Sequence, residues 1–346
     1  MEFITHRNNL GWLRLLFASQ VMVVHAFAFL VDYDPVFLKY FNNFPGVPAF
    51  FFVSGLLIYA SYDRNRSARH FAKKRFLRIW PGLIVVSVAG LAVVVLAHSG
   101  SKNIVEQSPT YLVWFISQIT LGQAWNPASF RDVGNGVING ALWTITVDIL
   151  FYVSVPIIVF FEQRFKYIIL VLLLCSFLFY SFGDQFMNFK LVNDKTAFAY
   201  LSLTPIVWGW MFLTGVLAYK HFELLKKFLP YFYLAVIPIA ILITLDIQDS
   251  IWFTASHNGL GAIYFLSLCS VVMFLGFRVS YVKLDADLSY GVYLWHMVII
   301  NFLLVVGFRS LPTALFLTYI AAFGSWYFVE KRFFVRKKIL PSTGAS

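Results

Sequence analysis

The sequence predicts an all-α integral membrane protein, a bundle of about ten transmembrane helices with both termini cytoplasmic, and three observations lead there. Of the 346 residues, 60% are hydrophobic and 12% are charged, where a soluble domain is roughly one quarter charged. Long stretches run without Asp, Glu, Lys or Arg, and they are continuous, unlike the short alternating segments of a membrane barrel. The 27 basic residues outnumber the 16 acidic ones, and they sort to one side of those stretches as cytoplasmic loops require. With 39 Phe and a net charge of +11, disorder, coiled coil and nucleic-acid binding all fit poorly, and membrane lipids become the expected surroundings. Cys175 and Cys269 each sit inside an apolar run, which speaks against a disulfide scaffold or zinc cluster, and no metal is expected.

Crossing ~30 Å of hydrocarbon takes about 20 helical residues. The stretches that qualify are 10–31, 44–62, 80–98, 141–160, 167–183, 200–219, 229–245, 258–277, 288–308 and 311–329, the first broken by Arg14 and the fourth by Asp148. An eleventh stretch, 107–130, holds Tyr111 to Leu121 but also Pro109 and Pro127, so it could span or lie in the interface. Charge decides between these. Ten spans with the N-terminus inside put 21 Lys and Arg in the cytoplasm and 6 outside, whereas an eleventh span gives 13 and 14. The segment 99–140 is therefore expected as a long outer loop carrying a re-entrant or interfacial helix. Residues 1–334 form one transmembrane domain, and 335–346 a short cytoplasmic tail. Met1 to Asn9 is polar and no cleavage site follows the first apolar run, which stays as a helix.

Function is then read from polar groups inside the membrane, where an ionisable side chain is costly enough to mark a site. Arg14 and His25 are eleven residues apart. At about 100° per residue they share one helical face, ~16 Å apart along the axis. Asp148 falls ~10 Å below the outer boundary, at the depth of His25, where a carboxylate could orient the imidazole and make it a general base. His296, in Tyr293-Leu294-Trp295-His296, is a further candidate for the same cavity. An imidazole can also serve only as glue between helices, and Ser54, in Phe51-Phe52-Val53-Ser54-Gly55, is as readily a close-packing position. Arg75 and Arg78 lie one turn apart where a basic run enters the third span. They act either as topology anchors or as forks around phosphates. An anion site at the inner mouth and a base near the outer mouth point to a phosphorylated donor from inside and an acceptor from outside.

These residues resemble a known family. Arg14 with His25, Phe51 to Gly55, Arg75-x-x-Arg78 before Ile79-Trp80-Pro81, Leu142-Trp143-Thr144-Ile145-Thr146-Val147-Asp148 followed by Phe151-Tyr152, Ser289-Tyr290 to His296, and Val329-Glu330-Lys331 together resemble the acyltransferase 3 family. Its members are multipass bacterial membrane proteins that O-acylate extracytoplasmic glycans and related molecules, and the resemblance implies the bacterial inner membrane for this chain. The resemblance implies acetyl-CoA or another acyl-CoA as donor, and a surface glycan or lipid-linked sugar, in lipopolysaccharide or exopolysaccharide, as acceptor. It implies His25 as catalytic base, supported by Asp148 where relatives commonly have Glu, and Arg14, Arg75 and Arg78 as ligands of the donor phosphates. Ser54, Trp143, His296 and Glu330 are candidates for the cavity or the acyl site. Many relatives carry a hydrolase-like domain after the last helix, and without it transfer is expected to be completed by the membrane domain or by a separate periplasmic partner. Whether transfer is direct or passes through an acyl-enzyme stays open, as does the rival reading, a transporter of a lipid-linked or anionic solute.

Overall fold

A computed structural model describes residues 7–33, 35–99, 108–190, 200–246, 250–256 and 259–335, with side chains described at all of these except 39, 184–190, 334 and 335. Nearly all of the expected tail, 335–346, thus lies outside the described residues. The regular elements of the described chain are helices, apart from one antiparallel pair of two-residue strands, Ala255–Ser256 with Gly259–Leu260. Five helical segments are long and apolar enough to cross a membrane: Leu10–Leu30, Val36–Asp63, Ala68–Ala97, Gly140–Glu162 and Leu311–Phe333. Shorter apolar helices accompany them at Ile168–Gly183, Leu229–Leu245, Ala262–Phe277 and Ser289–Val305.

The first helix, α1 (Leu10–Leu30), starts beside Asn9, whose amide donates to the carbonyls of Leu275, Val279 and Ser280 and accepts from the Val282 N–H. This contact defines the proximal end of the bundle. The distal end lies where α1 stops at extended Val31. A short α2 (Val36–Asn42) and the long α3 (Gly46–Asp63) each follow a proline, which fixes φ and lacks an N–H, so it opens a helix at no cost in hydrogen bonds. The next helix, α4 (Ala68–Ala97), begins where Ser67 accepts the His70 N–H, an N-cap. Its 30 residues rise ~45 Å, so its basic first turns project beyond the apolar stretch.

Within the segment 99–140 the apolar middle forms a short helix, α5 (Ser108–Gln118), which buries Tyr111, Trp114 and Gln118 and exposes Leu112, Val113 and Ile116. The chain after it is threaded into the bundle. Asn301 accepts from the Asn135 N–H and donates to the carbonyls of Val137, Ile138 and Met297. Gly134 meets that amide with φ +60 and no room for a Cβ.

The second half comprises α6 (Trp143–Glu162), α7 (Ile168–Lys190), α8 (Pro205–Lys220), α9 (Phe222–Leu225), α10 (Val236–Leu245), α11 (Ala262–Phe277), α12 (Ser289–Val305), α13 (Leu311–Gly324) and α14 (Lys331–Val335). The expected stretch 229–245 is not one uniform helix. It opens as a 3₁₀ segment, Leu229–Ala235, with Pro230 in its first turn. The stretch 311–329 likewise ends in a π-helical turn, Ser325–Glu330, a form that often marks a functional position.

Helix α8 lies along α3 and α7, while α12 is central and packs on α1, α4 and α13. Where α3 crosses α8 the backbones nearly touch, since a Cβ on Gly55 would sit 1.9 Å from the Phe212 carbonyl and one on Gly215 2.0 Å from that of Phe52. The outer faces are apolar too. Val153, Phe160 and Phe316 are more than half exposed, which suits lipid and not water.

Candidate active site

Arg14 on α1 and Arg75 and Arg78 on α4 converge on one cavity. Helix α6 contributes Asp148 and Tyr152 to its wall, α3 contributes Ser54, and α12 contributes Ser289, Tyr290 and Tyr293. The one-turn spacing of the two α4 arginines brings both to the same wall, as the helical period requires.

Two of the guanidinium groups share an anion. Arg78 Nη2 donates to Asp287 Oδ2 at 2.7 Å and Arg14 Nη1 to the same oxygen at 3.3 Å, while Ser289 Oγ donates to Oδ1 at 2.6 Å. Asp287 belongs to the turn before α12. Burial pushes its pKa up, but the charges of Arg14 and Arg78, with the Ser289 hydroxyl, outweigh burial and hold the carboxyl well below the usual carboxylate range. Arg75 makes no ion pair among the described residues. Its guanidinium lies over the rings of Phe71 and Tyr152, at 5.1 and 5.3 Å, and its Nε is buried without a hydrogen-bond partner.

Asp148 is not the partner of His25, contrary to the expectation of a carboxylate beside that imidazole. Its carboxyl faces Ser54 and the three arginines, and its Oδ1 is buried with no hydrogen-bond partner. Counting residues from an apolar boundary fixes neither the depth nor the azimuth of a side chain closely enough to name its partner, and Asp148 stands with the arginines. In an apolar bundle, permanently charged guanidinium groups are also better company for a carboxylate than a neutral ring.

The imidazole of His25 instead meets His296. His25 Nδ1 and His296 Nε2 are 2.9 Å apart, the two rings meet edge to edge and nearly coplanar, with centroids 5.1 Å apart and 16° between planes, and His296 Nδ1 sits 3.2 Å from the Val292 carbonyl oxygen. This pair lies next to the arginine cavity but does not line it. Between them stands Tyr293, its ring edge-on to His296 at 5.8 Å and to Phe50 at 5.8 Å, its hydroxyl 2.6 Å from Thr144 Oγ1.

The remaining candidates divide. Ser54 lines the arginine cavity, while its neighbour Gly55 makes the close helix contact. Trp143 lines a second, distal cavity with Trp208, Gln123 and Asn126, the two indoles 5.3 Å apart. Glu330 is buried behind Tyr290, accepting from Ser325 Oγ at 2.8 Å across the π-helical turn. Sequence reasoning missed Asp287, Tyr290 and Tyr293 as site residues. Tyrosines on an apolar helix carry no signal of their own, but Asp287 had one, being a carboxylate at the mouth of the apolar stretch 288–308, on the side where the basic residues collect.

The profile of the acyltransferase 3 family, described as an acyltransferase domain, matches residues 7–330. Among curated proteins, "Nodulation protein 10" of Rhizobium leguminosarum bv. viciae is 30% identical over 338 residues, 87% of this chain and 85% of its own. The "O-acetyl transferase" of Shigella phage Sf6 is 26% identical over 356 residues, 96% of this chain and 97% of its own. No solved structure matches the chain.

Proposed function

Because this chain belongs to the acyltransferase 3 family, we propose that it carries an acyl group, acetyl above all, from cytoplasmic acyl-CoA to a hydroxyl of an extracytoplasmic surface carbohydrate. The name of the phage relative favours acetyl. In this reading ten helices cross the bacterial inner membrane, the proximal end faces the cytoplasm, and the division of 21 basic residues against 6 supports that orientation. Family membership makes the chain an acyltransferase, and nothing in its geometry favours the transporter.

The observation that carries the reading is the convergence of three guanidinium groups on one cavity. Arg14, Arg75 and Arg78 outnumber Asp148 and Asp287 there, and the buried Nε of Arg75 lacks an acceptor, so an anionic group fits. These arginines would hold the phosphates of the donor, which supplies an acyl carbon activated as a thioester. The ~16 Å rise from Arg14 to His25 along α1 suits the long arm of the coenzyme, and its passage toward His25 runs past the Tyr293 ring. His25 takes the proton of the acceptor hydroxyl while the oxygen's electron pair forms the new bond to the acyl carbon. The carbon–sulfur bond breaks, and His25 returns the proton to the leaving thiolate. Mass spectrometry of surface polysaccharide from cells with and without the gene tests the reading. A missing acyl mass in the deletion strain supports it, and identical spectra refute it.

A further inference from the structure

We propose that His296 is a positioning residue that locks His25 in the tautomer a base requires, an inference that rests on reading His25 as the base. It follows from which atoms can donate. His296 Nδ1 faces the main-chain carbonyls of Val292, at 3.2 Å, and Tyr293. Carbonyl oxygens only accept, so Nδ1 of His296 carries the hydrogen, and a neutral imidazole then has its lone pair on Nε2. That lone pair lies 2.9 Å from His25 Nδ1, so His25 Nδ1 must be the donor. The second nitrogen of His25, Nε2, is left without a hydrogen and makes no hydrogen bond among the described residues. It is the one atom of the pair free to accept a proton from a substrate.

The arrangement does with two backbone carbonyls and an imidazole what a carboxylate does in a catalytic triad. When His25 accepts a proton at Nε2, its Nδ1–H bond to His296 stays in place, so nothing has to reorganise. His296 cannot be the base itself, because it is fully buried and both of its nitrogens are engaged. The rings lie only 16° from coplanar, so the lone pair of His296 Nε2, which lies in its ring plane, points along the His25 Nδ1–H bond.

Two substitutions separate positioning from packing. His296→Leu removes the acceptor at similar volume, whereas His296→Gln can present a carbonyl oxygen near the position of Nε2. In purified, correctly inserted protein, His296→Leu should lower kcat on the order of 10²-fold, the cost of a misplaced catalytic group, with the KM for acetyl-CoA unchanged. His296→Gln should recover most of the loss. Nitrogen NMR of histidine-labelled protein should show His25 protonated at Nδ1 in the wild type, and a mixture of tautomers in His296→Leu. Normal kcat in His296→Leu, or equal loss in Leu and Gln variants with the His25 tautomer unchanged, overturns the proposal. His25→Ala keeps the two claims apart. If it is inactive while His296→Leu turns over normally, the base stands and the positioning role falls, and if His25→Ala is itself active, both fall.

Discussion

Asp287 decides the electrostatics of the site, since one of its oxygens is shared by two arginines that would otherwise repel each other. Its pKa is depressed by folding, so the stability it contributes is complete above the ordinary carboxylate value of 3.8 and is lost as pH falls below it. Asp287→Asn should therefore lower the melting temperature in detergent by a constant amount from pH 7 down to pH ~5, with the gap closing only below about pH 4. A gap that closes near neutrality would mean another group is titrating. Arg75 allows a cleaner test of donor binding. Arg75→Lys keeps the charge but loses the planar fork, and acyl-CoA affinity measured by isothermal titration should fall about tenfold, ~1.4 kcal/mol. Unchanged affinity would return Arg75 to the role of topology anchor. The shared face of Arg14 and His25 was legible from the helical period alone. The partners of each were not, because a helix period gives the face of one element and says nothing of which neighbour that face meets.

Hydropathy located the helices because lipid leaves the backbone little choice: each N–H and C=O must be satisfied within its own segment. Departures come at residues that break this bookkeeping locally, as at Pro230, or where a π-helical turn inserts an extra residue before Glu330. The glycines of α3 and α8 show a feature that charge and hydropathy cannot report. Gly55 and Gly215 let two backbones meet at distances a methyl group would block, so Gly55→Ala should cost on the order of 1–3 kcal/mol through overpacking. Thermal unfolding followed by size-exclusion chromatography should show the loss, with turnover per folded molecule near that of the wild type. A collapse in turnover without loss of stability would place Gly55 in the chemistry instead.

At the scale of the molecule, the proposal is a polarised bundle with arginines toward one end, a histidine pair further along, and Tyr293 between them. The proposed orientation rests on the distribution of Lys and Arg, a signal the sequence carries openly because loop charges act independently of packing. Cysteine placed at exposed Tyr33 should react with an impermeant reagent added to whole cells whose outer membrane has been opened, and cysteine at exposed Asn65 should not. Labelling of Asn65 alone would invert the bundle and put the arginines outside. The most direct measurement is acyl transfer by the purified protein reconstituted in vesicles, with labelled acetyl-CoA and a glycan acceptor, comparing wild type with His25→Ala. The account predicts label on the glycan for the wild type, a loss of ~10²–10⁴-fold for His25→Ala, and acetyl-CoA binding retained in both. Transfer by His25→Ala at the wild-type rate per folded molecule would contradict it.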